Sequence, residues 1–547
     1  MLRRPWLITL LLAGCAQIST QPPATSVAAP VEPANLRAHI EYLAADELRG
    51  RDTGSAGYEQ AAEYVAAEFE KLGLSPVGDD DGFFQQVPLV EARLVKDSAR
   101  ARIASTSAAT ELKYPDQFTM SPSKHEAYQQ VSGELVFVGH GIVAPEFDHD
   151  DYAGLDVEGK IVVMLVGRPT GWPTEEGAHL GSGREKARHA AERGAIGRIV
   201  LHTPREEKTF PFEEEFQFLD VPAMSWVDRD GLPHGYFPEV RGGAYFNLDA
   251  AALLFENAPQ ALEDVYAADL AGEAVRGFPL QTSVSLARRS EHRELQSPNV
   301  VAVLEGSDPE LKNEYILYTA HLDHIGVIRN EEGEEEIYNG AMDNAAGVAT
   351  MLETARVLAA ERDQLKRSVI FLAVTGEEKG LLGAGYFAHH PTVPISNIVA
   401  NINLDMPLFL YPFADVIAFG AQHSNLGDYV ARAAEQAGLS LAPDPMPEQA
   451  LFVRSDHYQF VKKGIPAVFL VTGFTSQDPD QEFGEAFKAH LAEHYHQPSD
   501  DLDLEIDYQA GAVFTEVNVN IGREIANSAE RPSWKQGDFF GETFAPN

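Results

Sequence analysis

The fold is decided by a stretch that reads Tyr315-Ile316-Leu317-Tyr318-Thr319-Ala320-His321-Leu322-Asp323. Its first six residues are mostly apolar, aromatic or β-branched, a composition that favours a buried β-strand. The run ends at a histidine and an aspartate, two residue types that bind metals and transfer protons. A strand followed directly by such residues predicts a functional site at its carboxyl end.

Three further runs of the same character follow, at residues 368–374, 398–404 and 466–471. The first leads to Glu377-Glu378 and the second to Asp405. Helical patterns lie between these runs, notably over residues 345–360. Near-continuous apolar strands that alternate with helices predict an α/β fold with a parallel sheet covered on both faces. Ligands of open α/β sheets bind beyond the carboxyl ends of the strands, which is where these acidic residues lie.

The chain has 547 residues, more than one ordinary hydrophobic core contains, and we divide it into several segments. Residues 34–133 carry helical patterns and form the N-terminal part of a main domain. Residues 134–259 have strands and a helix of their own but no plausible catalytic cluster. We interpret them as a small α/β domain inserted into the larger one. The main domain continues over residues 260–530, and residues 531–547 form a C-terminal tail.

The first 33 residues predict export. Two arginines precede an apolar run over residues 7–12, which is too short to span a bilayer and is typical of a signal peptide. The run leads to Leu12-Ala13-Gly14-Cys15, which resembles the bacterial lipobox and contains the only cysteine of the chain. We predict a signal peptide over residues 1–15, lipid attachment at Cys15 and a flexible tether over residues 16–33. A plain secretory signal is the alternative.

These features predict a bacterial cell-envelope protein that touches the membrane only through its lipid anchor. Ala16 stands where lipoproteins of the inner membrane carry an aspartate, so we expect the outer membrane, facing the periplasm. A periplasmic or secreted protein is the alternative. The chain has 42 Lys and Arg against 83 Asp and Glu, a formal net charge of −41. This charge repels phosphate backbones and argues against nucleic acid as a partner. The sequence does not indicate the oligomeric state.

Five residues of metal-ligand type form the candidate metal set, namely His321, Asp343, Glu378, Asp405 and His496. Small residues surround Asp343 just before a helix, so its carboxylate is suited to bridge two ions about 3.5–4 Å apart. His321 and Asp405 would complete one ion, and Glu378 and His496 the other. Histidine and carboxylate ligands without thiolate favour zinc, with manganese or cobalt as alternatives.

Two acidic residues beside these ligands have separate predicted roles. Glu377 adjoins a ligand but points in a different direction from it, which suits a general base that later hands its proton to a leaving amine. Asp323, two residues after His321, is placed to accept the imidazole N–H and fix the tautomer of the ring.

Several other residues near the predicted site receive more ordinary interpretations. The segment His490-Leu491-Ala492-Glu493-His494 fits the H-x-x-E-H pattern of another metalloprotease class, but that site would leave the strand-end residues unexplained. His324 and His457 are interpreted as structural side chains that pack near the site, with a place in the lining of the site as the alternative. Arg454 is interpreted as part of a salt bridge at the rim, with a substrate carboxylate as its alternative partner.

The order of the motifs matches a known family. The matching pieces are Ala320-His321-Leu322-Asp323, Met342-Asp343-Asn344-Ala345-Ala346-Gly347, Gly376-Glu377-Glu378-Lys379-Gly380-Leu381-Leu382-Gly383, Asn403-Leu404-Asp405-Met406, Ser455-Asp456-His457, Tyr495-His496-Gln497-Pro498-Ser499-Asp500 and, near the N-terminus, Leu48-Arg49-Gly50-Arg51-Asp52-Thr53-Gly54-Ser55. The chain thereby resembles the bacterial co-catalytic zinc aminopeptidases with an inserted protease-associated domain, relatives of glutamate carboxypeptidase and the transferrin receptor. The resemblance covers nearly all of the mature chain.

This resemblance implies a mixed, mainly parallel sheet flanked by helices, of the zinc exopeptidase type, with residues 134–259 as the protease-associated domain. It implies two zinc ions per chain, held by the five ligands in the pairing given above, and Glu377 as the general base. It also implies that Tyr495 donates a hydrogen bond to the oxyanion.

The activity that the resemblance implies is that of an aminopeptidase, which removes N-terminal residues from peptides by means of a zinc-bound hydroxide. A carboxypeptidase or dipeptidase on the same scaffold is the alternative, followed by a glutaminyl cyclase or a binding protein without catalysis. Because all five ligand positions and the base are present, we favour an enzyme with two ions.

Overall fold

The computed structural model describes residues 29–105, 108–330, 332–476, 478 and 483–545. The predicted signal peptide, Cys15 and most of the predicted tether lie outside the described residues. Among the described helices, none combines the length and the apolar character that a membrane crossing requires.

Twenty-one strands are present in the described residues. They are β1 (Ser75–Pro76), β2 (Phe84–Leu94), β3 (Arg100–Ala104), β4 (Ala109–Glu111), β5 (Phe118–Thr119), β6 (Tyr128–Phe137), β7 (Val143–Ala144), β8 (His149–Asp150), β9 (Ile161–Leu165), β10 (Gly197–Leu201), β11 (Ala223–Trp226), β12 (Gly243–Phe246), β13 (Phe278–Leu304), β14 (Tyr315–His321), β15 (Gly326–Arg329), β16 (Glu335–Tyr338), β17 (Ser368–Val374), β18 (Ile398–Leu404), β19 (Asp415–Phe419), β20 (Ser440–Ala442) and β21 (Ala467–Thr472).

Fourteen α-helices accompany them in the same residues. They are α1 (Pro33–Leu43), α2 (Ala56–Lys71), α3 (Thr174–Leu180), α4 (Gly183–Glu192), α5 (Glu206–Thr209), α6 (Leu248–Leu254), α7 (Leu262–Leu270), α8 (Ala346–Ala360), α9 (Leu382–His389), α10 (Leu426–Gln436), α11 (His457–Val461), α12 (Gly484–Glu493), α13 (Tyr508–Asn527) and α14 (Phe539–Phe544).

The larger sheet has the strand order β11-β2-β13-β17-β14-β18-β21-β19-β20, with β1 beside the end of β13. Its central strands β17, β14, β18 and β21 run parallel to one another, and the strands β13 and β19 on either side of them pair antiparallel. The four parallel strands therefore end at one common edge.

Both faces of this sheet are buried, as the continuous apolar runs predict. In β17, Val369, Phe371 and Ala373 belong to a core formed with helices α1, α2, α8, α10 and α13. The alternate residues Ile370 and Leu372 belong to a second core on the opposite face, with α9 and α11. Successive side chains of a strand point to opposite faces, so helices must cover both of them. The prediction of a mixed, mainly parallel sheet flanked by helices is confirmed.

A second, smaller sheet has the order β4-β3-β13-β6-β9-β10-β12-β5. The long strand β13 joins the two sheets, because its first half pairs with β3 and β6 and its second half with β2 and β17. The predicted inserted α/β domain is therefore present. The strands of its sheet reach from Arg100 to residue 289, a wider range than the predicted insert of residues 134–259. The boundaries of the domains stay predictions.

Candidate metal centre

The candidate ligands come from four separate connections around the carboxyl edge of the parallel strands. His321 is the last residue of β14, and Asp405 directly follows β18. Glu378 lies in the loop between β17 and α9. Asp343 lies in a π-helical turn, Ala341–Ala345, that leads into α8. His496 lies between α12 and α13, in a left-handed backbone conformation with a φ of 56°.

The carboxylate of Asp343 lies between two histidines, one on each oxygen. Its Oδ1 is 3.2 Å from Nε2 of His321, and its Oδ2 is 3.3 Å from Nε2 of His496. On one side, Nε2 of His321 also lies 3.1 Å from Oδ1 of Asp405. On the other, Nε2 of His496 lies 3.1 Å from Oε2 of Glu378. The five residues thus form two groups of three that share Asp343.

These separations fit two tetrahedral zinc ions. Zinc–ligand bonds of 2.0–2.2 Å place neighbouring ligand atoms of a tetrahedron about 3.3–3.5 Å apart, close to the four distances in the site. Three protein ligands per ion also leave the fourth position of each ion for water or substrate, as in catalytic zinc sites. The donor set of two imidazoles and three carboxylates therefore fits a pair of zinc ions.

The electrostatics of the site also favour bound cations. Burial lowers the pKa of His321, but Asp405 and Asp343 outweigh it and raise that pKa well above its ordinary value. Glu378 has a pKa lowered to about 2, because the nearby histidines outweigh its burial and the charge of Asp343. A buried group of carboxylates requires positive charge for stability. Two divalent cations would supply it.

Glu377 differs from the ligands in its environment. Burial raises the pKa of its carboxyl well above the usual range, and the carboxylates of Asp405 and Asp456 add to the shift against the opposing effect of His321. An oxygen of Glu377, one of Glu378 and a ring nitrogen of His321 all lie within 4.8 Å of one another. The side chain is therefore next to both candidate ions and is able to take up a proton.

Asp323 supports the loop of the two glutamates rather than the imidazole. Its Oδ1 accepts a hydrogen bond from the backbone N–H of Glu377 at 3.1 Å, and its Oδ2 accepts one from Glu378 at 3.3 Å. Nδ1 of His321 lies 3.1 Å from the backbone carbonyl of Asp323, not from its carboxylate. The structure therefore differs from the predicted contact between the imidazole and the carboxylate: the imidazole contacts the main chain of Asp323, and the carboxylate binds the glutamate loop.

The turn that carries Asp343 is held by two buried charged residues. Asp500 accepts hydrogen bonds from the backbone N–H of Met342 at 2.8 Å and of Asp343 at 2.9 Å. The guanidinium of Arg51 is 1% exposed and donates to four backbone carbonyls, those of Leu43, Leu322, Asn339 and Gly340. Arg51 therefore joins the segment after His321 to the segment before Asp343. Both residues lie in the sequence motifs, but residue type and spacing alone gave no signal for these contacts.

Asn344 and Gly347 allow the turn to approach the strand end. Nδ2 of Asn344 donates to the carbonyl of Leu404 at 2.9 Å, and its Oδ1 accepts from the N–H of Gly347 at 3.0 Å and of Met406 at 3.1 Å. A Cβ atom at Gly347 would lie 2.5 Å from the carbonyl oxygen of Leu404. Only glycine leaves room for this approach, which brings Asp343 close to Asp405.

Two further polar residues, Ser455 and His324, contact candidate ligands. Oγ of Ser455 donates to Oδ2 of Asp405 at 2.5 Å. Nδ1 of His324 lies 2.7 Å from Oε1 of Glu378, so this histidine is in contact with a candidate ligand and not merely packed near it. The spacing His321-Leu322-Asp323-His324 was the signal for it, since the loop after a strand end stays close to that end.

Other residues singled out in the sequence are one tyrosine beside a candidate ligand and three further histidines. The ring of Tyr495 stacks on that of His496 with centroids 3.8 Å apart, and the side chain is about one-third exposed. His490 and His494 lie near each other at the end of α12, with ring centroids 5.2 Å apart. His457 is fully buried in an aromatic cluster with Phe452 and Phe469, in agreement with a structural role.

Comparison with known families identifies two regions of the chain. Residues 299–521 match the model of Peptidase family M28, and residues 131–232 match the model of the PA domain. The first region contains all five candidate ligands. The second overlaps the predicted insert of residues 134–259 and begins three residues before it, so the prediction of an inserted protease-associated domain is confirmed.

Individual relatives match shorter parts of the chain. It is 26% identical over 236 residues to Aminopeptidase YwaD of Bacillus subtilis (strain 168), covering 42% of each protein. It is 29% identical over 195 residues to a Vacuolar membrane protease of Lachancea thermotolerans, covering 34% of this chain and 18% of that one. A Probable zinc metalloprotease of Pyrenophora teres f. teres is 41% identical over 108 residues, or 20% of this chain and 22% of that one. The chain thus spans about a fifth of the length of the last two relatives. Since the relatives include eukaryotic proteins, a bacterial origin stays a prediction.

A solved structure with the same fold covers almost the whole molecule. The Aminopeptidase from Aneurinibacillus sp. strain AM-1 superposes with a TM-score of 0.50 at 20% sequence identity, covering 91% of this chain and 94% of that one. At this level of identity the likeness shows a shared fold.

Proposed function

We propose that this protein is a zinc-dependent aminopeptidase that holds two zinc ions and removes N-terminal residues from peptides. The premise is the match of residues 299–521 to Peptidase family M28. The observation that carries the proposal is the position of Asp343, whose two carboxylate oxygens each lie beside a different histidine. This arrangement suits a bridging ligand between two cations. When bound, zinc would polarise the scissile carbonyl and lower the pKa of a coordinated water.

Glu377 is the residue that we assign to proton transfer. Its raised pKa and its place beside His321 and Glu378 suit a carboxylate that takes a proton from the attacking water. The same carboxyl would then donate that proton to the nitrogen of the leaving amine. The hydrogen bond from the N–H of Glu377 to Asp323 holds the main chain in place during both steps.

The charges around the site favour a free N-terminus over a free C-terminus. The whole chain has a formal net charge of −41, which attracts an ammonium group and repels the terminal carboxylate of a peptide. Two cationic side chains of the motifs are already engaged. Lys379 pairs with Asp52 at 3.0 Å, and the guanidinium of Arg51 donates to backbone carbonyls.

Tyr495 is the residue that we assign to the oxyanion. Its ring stacks on the candidate ligand His496, and burial together with the site carboxylates raises the pKa of its phenol. A phenol that stays protonated is a hydrogen-bond donor at every pH at which the enzyme would work. Donation to the oxyanion would stabilise the tetrahedral transition state.

The location of the protein is part of the proposal. We assign a lipid anchor at Cys15 and a place at the outer membrane of a bacterial envelope, facing the periplasm. Expression of the full chain and of Cys15→Ser, followed by membrane fractionation, tests this assignment. We expect the wild type in the membrane fraction and the variant in the soluble fraction. Equal partition of the two proteins would contradict the anchor.

The activity is tested with matched substrates and a metal assay. Purified protein is incubated with aminoacyl-arylamides, with the same compounds blocked at the N-terminus, and with peptides blocked at either end. We expect zinc-dependent release of single residues only from substrates with a free N-terminus, and about two zinc ions per chain. Release from N-terminally blocked peptides would point to a carboxypeptidase instead. Cyclisation of N-terminal glutamine would point to a glutaminyl cyclase, and zinc binding without turnover to a binding protein.

A further inference from the structure

His324 is a buried histidine next to the candidate metal centre that is not one of the five candidate ligands. Its side chain is fully buried, and its Nδ1 lies 2.7 Å from Oε1 of Glu378. Its Nε2 is also buried and has no hydrogen-bond partner among the described residues. The imidazole therefore makes one polar side-chain contact here, and this contact is with a candidate ligand.

The distances separate His324 from the ligands themselves. Imidazole and carboxylate atoms that face each other across a candidate ion lie 3.1–3.3 Å apart. The contact between His324 and Glu378 is shorter, at 2.7 Å, which is the length of a charge-assisted hydrogen bond. Nδ1 of His324 also lies 3.9 Å from Oδ2 of Asp343, too far for a hydrogen bond. The short contact is that of a donor to Glu378. One atom each of His324, Asp343 and Glu378 also lie within 4.8 Å of one another, so a ligand role is the alternative that an asparagine variant tests.

We infer that His324 is a positioning residue of the metal centre, which donates its Nδ1–H to Oε1 of Glu378 and so turns Oε2 toward the ion shared with His496. The inference rests on the proposed function, since it assumes that zinc occupies the position between these residues. Hydrogen bonds to a ligating carboxylate fix its orientation, and their loss costs metal affinity.

The ring of His324 is packed on two sides. A Cβ atom at Gly340 would lie 2.6 Å from Cγ of His324, so the ring rests directly on the glycine backbone. On another side its ring meets that of His496 edge to face, with centroids 5.9 Å apart and an interplanar angle of 68°. With the ring held in this way, its one donor stays aimed at Glu378.

The experiment compares zinc binding to the wild type, His324→Ala and His324→Asn, each as the full chain. An asparagine amide nitrogen can occupy the place of Nδ1, whereas alanine removes the donor. Zinc content is measured by atomic spectrometry, and the affinity for each ion by competition with a chromophoric chelator. We expect His324→Ala to bind one of the two ions about 10- to 100-fold more weakly and the other as the wild type does. We expect His324→Asn to recover most of the lost affinity.

A matched control is His140→Ala in the turn that follows β6, away from the candidate ligands. His140 is also a buried histidine paired with a carboxylate, since its Nε2 lies 2.9 Å from Oδ1 of Asp269. This substitution should lower the melting temperature without changing either zinc affinity. It separates a loss of general stability from a loss of metal binding.

The outcomes distinguish the inference from the proposed function. If the wild type binds two zinc ions and His324→Ala binds both with unchanged affinity, the inference is wrong while the proposed function stands. If asparagine weakens zinc binding as much as alanine does, the role as a donor is also overturned. If the wild type itself binds no zinc, the proposed function fails.

Discussion

Nε2 of His496 lies 3.3 Å from Oδ2 of Asp343, although the two residues come from distant parts of the chain. His496 follows α12, and Asp343 precedes α8. Because the other oxygen of Asp343 lies beside His321, this contact makes Asp343 common to both candidate ions. The first prediction concerns this shared position.

Replacement of Asp343 by alanine should remove both ions, because each loses a ligand from a set of three. Zinc content should fall from about two ions per chain to well below one. The melting temperature should fall too, since a bound ion at 1,000 times its Kd contributes about 4 kcal/mol to stability. Calorimetry of the wild type after exhaustive chelation is the comparison, and it should match Asp343→Ala closely. A variant that keeps two ions would rule out the bridge.

Replacement of Glu377 by glutamine should separate metal binding from catalysis. The amide is similar in size to the carboxylate but cannot accept the proton, so kcat should fall by about 10²- to 10⁴-fold. Zinc content should stay near two ions per chain, because we assign Glu377 no ligand role. Steady-state kinetics and metal analysis on the same sample check both statements. The exposed Glu485 on α12 provides the control variant Glu485→Gln, for which turnover should be unchanged.

Replacement of Asp500 by asparagine should loosen the turn that carries Asp343. The new amide group would face one of the backbone N–H groups of Met342 and Asp343, which now both donate to the carboxylate. One buried donor would lose its acceptor, at a cost of about 1–3 kcal/mol. We expect a lower free energy of unfolding in urea and weaker zinc binding. The exposed Asp503 gives the control Asp503→Asn, and equal stability of the two variants would argue against this role.

His423 should make stability depend on pH at a contact far from the metal centre. Its Nε2 lies 2.8 Å from Glu175 of α3, and its Nδ1 lies 2.6 Å from Asp538 at the start of α14. Burial lowers the pKa of His423, but Asp538 and Glu175 outweigh it and raise the pKa to about 9. An unfolded histidine has a pKa near 6.5, so the charged form is favoured in the folded state.

The sign of the effect follows from the raised pKa. The stabilisation by His423 is fully present below about pH 6.5 and is lost as the pH rises through about 9, with an upper limit of roughly 3 kcal/mol. Melting curves of the wild type and His423→Gln should therefore differ more at pH 6 than at pH 10. The exposed His125 supplies the control His125→Gln. A difference between wild type and His423→Gln that is constant over this range would contradict the prediction.

Much of the fold could be read from local patterns. The strand that ends at His321 and the strand that precedes Asp405 are continuous apolar runs, and burial on both faces explains that composition. Parallel strands that alternate with helices finish at one edge, so their terminal residues converge whatever the connections do. For this reason the sequence by itself determined the sheet, its carboxyl edge and the candidate ligands at the strand ends.

Tertiary structure alone decided the contacts made by the loops. Three sets of contacts join segments that are distant in the chain. They are the hydrogen bond from His324 to Glu378, the hydrogen bonds of Asp500 to the Asp343 turn, and the bonds of Arg51 to the carbonyls of Leu322, Asn339 and Gly340. No periodicity records such contacts, because a loop takes its path from the surfaces that it packs on. The same holds for Asp323, whose carboxylate supports the glutamate loop while its main chain meets His321. The ends of the buried strands can be found from the sequence, because burial requires a continuous apolar run. The partners of loop side chains depend on the packing of the whole molecule.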